Sequence, residues 1–81
     1  MIQVSKPPKV REVAIWSEFI TLGQLLKVID YVSVGGDVKM VLADGGFTVN
    51  GEFESRRGRK LYPDDMVSLP QGGRVRVVAK N

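Results

Sequence analysis

The sequence predicts an α+β fold in which two adjacent helices pack on a small antiparallel sheet. A helical spacing of apolar residues begins at Leu22, a second short helical pattern lies between two glycine pairs, and segments of β-type pattern flank both. Strands and helices that are segregated along the chain are typical of α+β rather than α/β domains. With 81 residues, the chain is expected to form a single domain over residues 1–81.

The chain before the first helix is expected to contain an arm and then a strand. Residues 1–9 carry two prolines and lack the apolar stretch of a signal peptide, so we expect them to form a frayed arm. Val13 and Ile15 lie two positions apart within residues 10–16, which is the spacing of one face of a short strand. An N-terminal strand is therefore predicted there.

The first helix is the best-marked element. Its four apolar residues, at positions i, i+3, i+4 and i+7, are Leu22, Leu25, Leu26 and Ile29. Thr21 precedes this run and Gln24 follows three residues later, which is the capping-box arrangement that satisfies two helix-start amides reciprocally. The pattern predicts a helix over residues 22–30.

A second, shorter helix is predicted over residues 37–44. Gly35-Gly36 leads the chain to its start, and Gly45-Gly46 favours a left-handed turn at its end. Its inward-facing residues are expected to be Val38, Val41 and Leu42.

Further strands are predicted after the second helix. The predicted segments are residues 47–49, 52–55, 66–69 and 74–80. Asn50-Gly51 indicates a type I′ hairpin turn, because both of its central positions need positive φ. One contiguous core is expected from Leu22, Leu25, Leu26, Ile29, Val38, Val41, Leu42, Phe47 and Val49.

The composition excludes several functional classes. The chain contains no cysteine and no histidine, which removes disulfides, thiolate or imidazole metal sites and the usual neutral-pH proton shuttle. Asp64 and Asp65 follow Pro63 in a turn context, where aspartates cap and bend a chain. We therefore predict no catalysis, no cofactor and no metal. The longest apolar run has four residues and cannot span a bilayer, and a cytoplasmic protein is expected.

Positive charge is concentrated in one short segment. The net charge is +3, from 12 Lys/Arg and 9 Asp/Glu, and one third of the cations lie in residues 56–60. They are Arg56, Arg57, Arg59 and Lys60. These cations repel one another and favour an anionic partner, and arginine binds phosphate with two parallel hydrogen bonds. The alternatives are an acidic protein partner and a solvated loop whose cations pair in part with Glu52, Glu54, Asp64 and Asp65.

Two lysines and a glycine pair indicate a binding site only if they lie beside this cluster. Lys27 and Lys39 each face outward on a predicted helix, where a solvated lysine is the ordinary outcome. Gly35-Gly36 resembles the start of an anion site, although Asp37 competes for the same helix-start amides. The aromatic residues that could stack on bases are Trp16, Tyr31 and Tyr62. In so small a core, we expect each of these three to be a packing residue.

Four segments in this order and spacing resemble the S4 RNA-binding domain, and in particular its small stand-alone bacterial members. They are residues 19–27 (FITLGQLLK), 35–39 (GGDVK), 49–52 (VNGE) and 56–61 (RRGRKL). The resemblance covers residues 19–69. It departs from the family in two places, since Thr21 stands where many members have an arginine, and Asp64-Asp65 stands where Gly-Asp is usual.

The resemblance implies an α-L motif that recognises structured RNA. In the family, two helices and the adjoining basic loop form the RNA-binding face. Carried over to this sequence, the RNA-binding residues are Lys27, Gly35, Gly36, Lys39, Arg56, Arg57, Arg59 and Lys60.

The expected function is non-enzymatic binding of structured RNA of the ribosomal or transfer RNA class by a monomer, with the ribosome as one candidate location. About five to eight phosphate contacts are expected, which makes affinity steeply dependent on salt. The alternative from another class is a protein-interaction adaptor whose basic loop binds an acidic partner. An adaptor would expose apolar residues beside its charges and would compete little with bulk RNA.

Overall fold

The computed structural model describes residues 10–33 and 35–80. The predicted arm over residues 1–9 lies outside the described residues. The elements in chain order are β1 (Val10–Ile15), β2 (Ile20–Thr21), α1 (Leu22–Val28), α2 (Val38–Ala43), β3 (Thr48–Val49), β4 (Glu52–Phe53), β5 (Lys60–Leu61), β6 (Met66–Ser68) and β7 (Arg74–Ala79). Every predicted helix and strand is present, shortened by one or two residues at its ends. The α+β class is confirmed.

Both helices begin at the caps that the sequence contains. At α1 the Thr21 side chain accepts a hydrogen bond from the Gln24 amide at 3.2 Å, and the Gln24 side chain accepts one from the Thr21 amide at 3.0 Å. At α2 the Asp37 carboxylate accepts a hydrogen bond from the Met40 amide at 3.1 Å. Thr21, one of the two departures from the resembling family, is therefore the N-terminal cap of α1.

The strands form two sheets. Five of them form one sheet in the order β1-β7-β6-β3-β4, and β2 with β5 forms a separate antiparallel pair. Within the larger sheet, β1 and β7 run parallel and the other pairs run antiparallel. The N-terminal strand therefore pairs with the C-terminal one, and the sheet is mixed rather than wholly antiparallel.

The β3–β4 hairpin turns at Asn50-Gly51, as predicted. Both residues have positive φ, 51° and 89°, as a type I′ turn requires. The Asn50 side chain also accepts a hydrogen bond from the Met66 amide at 2.9 Å. The turn is thereby tied to β6.

One core lies between the helices and the larger sheet. Eight of the nine residues predicted for it are buried in it, and the ninth, Val41, is partly buried and packs against it. The strands add further buried residues, among them Val13, Ile15, Leu61, Val67, Val75 and Val77. Helix and strand periodicities thus converge on one apolar interior, which leaves the outer helix faces and the loops to form the site.

Candidate nucleic-acid interface

A cleft of about 360 Å³ lies where α1, the start of α2 and the basic loop meet. We define the basic loop as residues 56–60. The cleft is lined by Thr21, Gly23, Gln24, Lys27, Gly36, Asp37, Val38, Arg57 and Gly58. Three predicted site residues, Lys27, Gly36 and Arg57, are thus brought together from three separate parts of the chain.

The basic loop is joined to α1 through backbone hydrogen bonds. The Leu22 amide donates to the Arg59 carbonyl at 2.8 Å, and the Gly23 amide donates to the Arg57 carbonyl at 2.9 Å. With the Gln24 amide bonded to Thr21, the first three amides of α1 are occupied. They therefore hold the loop in place and are not free to bind a ligand.

Gly23 makes the close approach of the loop possible. A Cβ atom at this position would lie 3.3 Å from the Cβ and carbonyl oxygen of Arg57 and 3.3 Å from a methyl group of Val38. These separations are tighter than ordinary van der Waals contact. The absence of a side chain at Gly23 thus sets the spacing between α1, α2 and the basic loop.

Glu54 organises the basic loop from within. Its carboxylate accepts two hydrogen bonds from the Arg56 guanidinium, at 3.0 Å each, and one from Arg59 at 2.8 Å. It also accepts the backbone amides of Ser55 and Arg56 at 3.1 Å each. Only 7% of the Glu54 side chain is exposed, against 75% for Arg56 and 33% for Arg59. Arg56 and Arg59 are therefore paired with an acidic side chain, which was one of the alternatives predicted for this cluster.

These bonds hold the pKa of Glu54 far below its ordinary range. The largest cause is the hydrogen bond from the Arg56 side chain, followed by the Arg56 backbone amide, with Arg59 contributing further. Partial desolvation opposes the shift and is outweighed. Glu54 is consequently ionised at neutral pH and offsets part of the repulsion among the loop cations. The same pairing raises the pKa of Arg56.

The two other loop cations are placed differently. Arg57 is exposed at the rim of the cleft, and its side chain forms no hydrogen bond or ion pair within the described parts of the chain. Lys60 is exposed on β5, and its Nζ lies 4.8 Å from the centroid of the Phe19 ring. Its neighbour across the strand pair is Thr21, the cap of α1. Lys60 therefore extends the positive surface from the loop toward Phe19.

The Gly35-Gly36 turn has a structural reason for both glycines. Gly35 adopts φ 86°, which L side chains rarely adopt, and a Cβ on Gly36 would lie 2.7 Å from a methyl group of Val32. The Gly36 amide is bonded to the Ser33 carbonyl at 2.8 Å, and Asp37 caps α2. Gly36 lines the cleft, whereas Gly35 does not. The turn positions the cleft, and its amides are not set out as an anion cradle.

The predicted site residues thus divide into two sets. Lys27, Gly36 and Arg57 line the cleft. Gly35, Lys39, Arg56, Arg59 and Lys60 lie outside its lining. Among these, Lys39 is exposed on α2 and follows Val38, a residue of the cleft lining, in the chain.

The expectation for the aromatic residues is confirmed for one of them and wrong for another. Tyr31 packs against Phe47 with ring centroids 5.4 Å apart in an edge-to-face arrangement. Trp16, in contrast, is 80% exposed and belongs to no part of the core. Tyr62 is intermediate, since it is 42% exposed and lies 5.9 Å from the Phe19 ring. Trp16 follows the last residue of β1, where the chain leaves the sheet, so its side chain falls beyond the buried face.

The aspartate pair has the structural role that the sequence predicted. The Asp65 carboxylate accepts hydrogen bonds from the Tyr62 amide at 2.8 Å and from the Asn50 side chain at 3.0 Å. Asp64 adopts φ 80°, a left-handed conformation that explains why glycine is usual at this point of the resembling family. The departure at Asp64-Asp65 therefore leaves the turn intact.

Two further features of the described residues bear on other classes of function. Neither helix in residues 10–33 and 35–80 has the length and apolar character needed to cross a membrane. Over the same ranges, no three His, Cys, Asp or Glu side chains come together as a potential metal site.

Comparison with known proteins identifies the family. Residues 13–78 match the family model described as the S4 domain, a longer span than residues 19–69 that carried the resemblance. A curated protein of Bacillus subtilis (strain 168) named "Probable ribosome maturation protein RlbA" is 44% identical over 66 residues, which is 82% of this chain and 93% of that protein. With both helices, the Val49-Asn50-Gly51 turn and the basic loop inside the matched span, this chain belongs to the S4 domain family.

Proposed function

We propose that this protein binds structured RNA, of the ribosomal or transfer RNA class, without catalysing a reaction. The bound phosphates lie along a basic face that is centred on the cleft. This face comprises Lys27, Gly35, Gly36, Lys39, Arg56, Arg57, Arg59 and Lys60.

One observation supports the proposal above the others, namely that Lys27 and Arg57 line the same cleft although 30 positions separate them in the sequence. Neither cation has an acidic partner in the described parts of the chain. Two unpaired cations that face one cleft repel each other, and a phosphate between them removes this repulsion. An arginine at the rim also offers a planar pair of donors that matches a phosphate.

The ordered state of the loop supports recognition of RNA shape. Glu54 and the first turn of α1 hold the loop backbone before any ligand arrives, so little conformational entropy is lost on binding. Neither α1 nor α2 has more than seven residues, and double-stranded RNA has a major groove too narrow for side chains to read. Contacts to phosphates across a folded RNA surface therefore suit this face.

The similarity to a curated ribosome maturation protein suggests where the RNA is found. We propose that the chain acts in the cytoplasm, on ribosomal RNA during the assembly of a ribosomal subunit. A monomer is sufficient for the proposed contacts, because all cleft residues come from one chain.

Crosslinking in cells tests this function directly. The full chain is crosslinked to RNA by ultraviolet light, purified under denaturing conditions, and the attached RNA is sequenced. For the wild type we expect enrichment of ribosomal or transfer RNA segments. For Arg57→Glu at equal protein abundance we expect much less crosslinked RNA. Recovery of no RNA above the background of an untagged strain would contradict the proposal.

A protein-interaction adaptor is the second candidate, and one observation favours it. Phe53, which immediately precedes Glu54 on the edge strand β4, is 83% exposed. Exposed apolar area beside charges is what an adaptor requires. The two candidates differ in competition, because bulk RNA displaces an RNA ligand and leaves an adaptor's protein partner bound through apolar contacts.

A further inference from the structure

We propose that Trp16 and Lys80 form a stacking site for an unpaired base of the bound RNA. The inference rests on the proposed RNA binding and deepens it, because it assigns a contact to a base in addition to the phosphates.

The Trp16 ring is open to a ligand and has a cation beside it. Its side chain is 80% exposed, and the Nζ atom of Lys80 lies 5.8 Å from the ring centroid. The exposed ring is a large apolar surface in contact with water, so its burial under a ligand would be favourable. A base that stacks on the ring would bring its own phosphate within reach of the Lys80 ammonium group.

The backbone around this pair is ordered. The Lys80 amide donates to the Ile15 carbonyl at 2.8 Å, which extends the parallel pairing of β1 with β7 to the residue next to Trp16. The Ser17 hydroxyl donates to the Phe19 carbonyl at 2.8 Å and shapes the turn that follows. Trp16 and Lys80 are therefore held side by side by the ends of two paired strands.

The pair is connected to the basic loop along the chain through Phe19. Phe19 is three residues after Trp16, a span of at most about 11 Å of chain. Its ring carries the Lys60 ammonium group at 4.8 Å on the basic-loop side, and Tyr62 lies 5.9 Å away. The rings of two ring–lysine pairs, Phe19 with Lys60 and Trp16 with Lys80, thus lie three residues apart along the chain.

The two ring–lysine pairs favour a nucleotide over a protein as the occupant of the site. An aromatic ring with a lysine beside it matches a base and its phosphate in an unpaired strand. Glu18 is the single acidic residue of the connecting segment and is exposed, against the two lysines that contact the rings. A base in a duplex is already stacked on both faces, so the site takes bases from loops, bulges or ends.

Trp16 reports on its own occupancy, because it is the one tryptophan of the chain. The full protein is titrated at low salt with two labelled probes, an RNA hairpin with a loop of unpaired adenosines and a blunt duplex with the same stem. Label anisotropy measures binding, and Trp16 emission measures stacking in the same titration. We expect quenching that tracks binding of the hairpin and little quenching by the duplex.

Three variants sharpen the test. Trp16→Leu should weaken hairpin binding by about tenfold, the equivalent of about 1.4 kcal/mol of base stacking, and leave duplex binding unchanged. Trp16→Phe keeps an aromatic face and should retain most of the affinity. Phe53→Leu removes an equally exposed ring at the other edge of the sheet and should change neither affinity.

The outcomes separate the stacking site from the proposed function. Hairpin binding with unchanged Trp16 emission, or equal affinity of the wild type and Trp16→Leu for the hairpin, would overturn the stacking site and leave RNA binding standing. Binding of neither RNA, at any salt concentration, would overturn both.

Discussion

Glu54 offsets part of the repulsion among the cations of the basic loop and fixes the shape of the loop. It accepts hydrogen bonds from two of the four loop cations and from two backbone amides, so the loop is fixed around a nearly buried carboxylate. Arg57 is left free of this network and faces the cleft. Arg56 and Arg59 thus support the shape of the loop, whereas Arg57 is accessible to a ligand.

Replacement of Glu54 should destabilise the domain in a pH-dependent way. Because the folded-state pKa lies below the ordinary value of 4.5, the stabilisation from ionised Glu54 is complete above that value and is lost as the pH falls toward the folded pKa. We expect Glu54→Gln to lower the Tm at pH 7. The difference in Tm from the wild type should shrink below about pH 4.5.

Thermal melts of both proteins from pH 7 to pH 2 measure this difference. The glutamine variant is the control for all other carboxylates, which titrate equally in both proteins. A difference in Tm that stays constant, or grows, as the pH falls would contradict the role assigned to Glu54.

Removal of a cleft cation should weaken RNA binding more than removal of a cation elsewhere. We expect Arg57→Gln and Lys27→Gln each to lower the affinity for structured RNA about five- to tenfold, because each loses a phosphate contact. Lys39→Gln should have a smaller effect, because Lys39 lies outside the cleft lining. Anisotropy titrations at one fixed salt concentration measure these ratios.

Arg74→Gln is the charge-matched control. Its substitution lowers the net charge by the same amount as Arg57→Gln. Arg74 is, however, exposed on β7 opposite Val10 and lines a different cleft. Equal losses of affinity for Arg74→Gln and Arg57→Gln would mean that binding follows total charge and not the proposed face. All these substitutions are on the surface and should change stability by less than about 0.5 kcal/mol.

At the level of elements, the site is a junction of α1, the basic loop and the start of α2. The loop backbone satisfies the first amides of α1, and Gly23 leaves room for the loop to approach. The relative positions of Lys27 and Arg57 therefore depend on the packing of short elements more than on any long helix. A change in that packing should act on binding without removing a charge.

Gly23→Ala tests this dependence. The new Cβ would force Arg57 and Val38 to give by a few tenths of an ångström. Overpacking costs about 1–3 kcal/mol, and the gain in helix propensity offsets at most about 1 kcal/mol, so we expect a net loss near 1 kcal/mol. RNA affinity should fall several-fold.

Gly58→Ala is the matched control for stability, since a Cβ there has no neighbour within 4 Å. Urea unfolding of the two variants should show a loss of stability for Gly23→Ala alone. Wild-type stability and wild-type affinity in Gly23→Ala would refute the tight junction.

The turn after β5 offers a second test on elements. Asp65→Ala removes the hydrogen bond from the Tyr62 amide, which closes this turn, and the one from the Asn50 side chain, which ties the turn to the β3–β4 hairpin. We expect a loss of roughly 1–3 kcal/mol in the free energy of unfolding. Asp64→Gly keeps the left-handed conformation and should not destabilise the domain. Equal stabilities for the wild type and Asp65→Ala in urea unfolding would show that these bonds contribute nothing.

Across the whole molecule, local signals in the sequence predicted the elements and left the contacts between them open. The leucine spacing and capping box of α1 and the Asn50-Gly51 turn are properties of neighbouring residues, and the structure confirms them. The parallel pairing of β1 with β7 joins the two ends of the described chain and has no local signal. The β2–β5 pair has two residues per strand, too few to show a period.

The candidate site was likewise predictable only in part. The density of cations marked the basic loop, and the family resemblance pointed to Lys27 and the Gly35-Gly36 turn. The exposure of Trp16 was not predictable, because apolar content indicates burial and the end of β1 could not be placed against the core. Which acidic residue pairs with Arg56 and Arg59 depends on loop geometry, so Glu54 was only one of four candidates.

The salt dependence of RNA binding tests the central claim, that a basic face holds RNA phosphates. With Arg56 and Arg59 held by Glu54, we expect about three to five effective phosphate contacts, and thus a slope of log K against log salt between about −2 and −4.5. Arg57→Gln should make that slope shallower by about one. A flat dependence between low and physiological salt, or an unchanged slope in Arg57→Gln, would contradict the account.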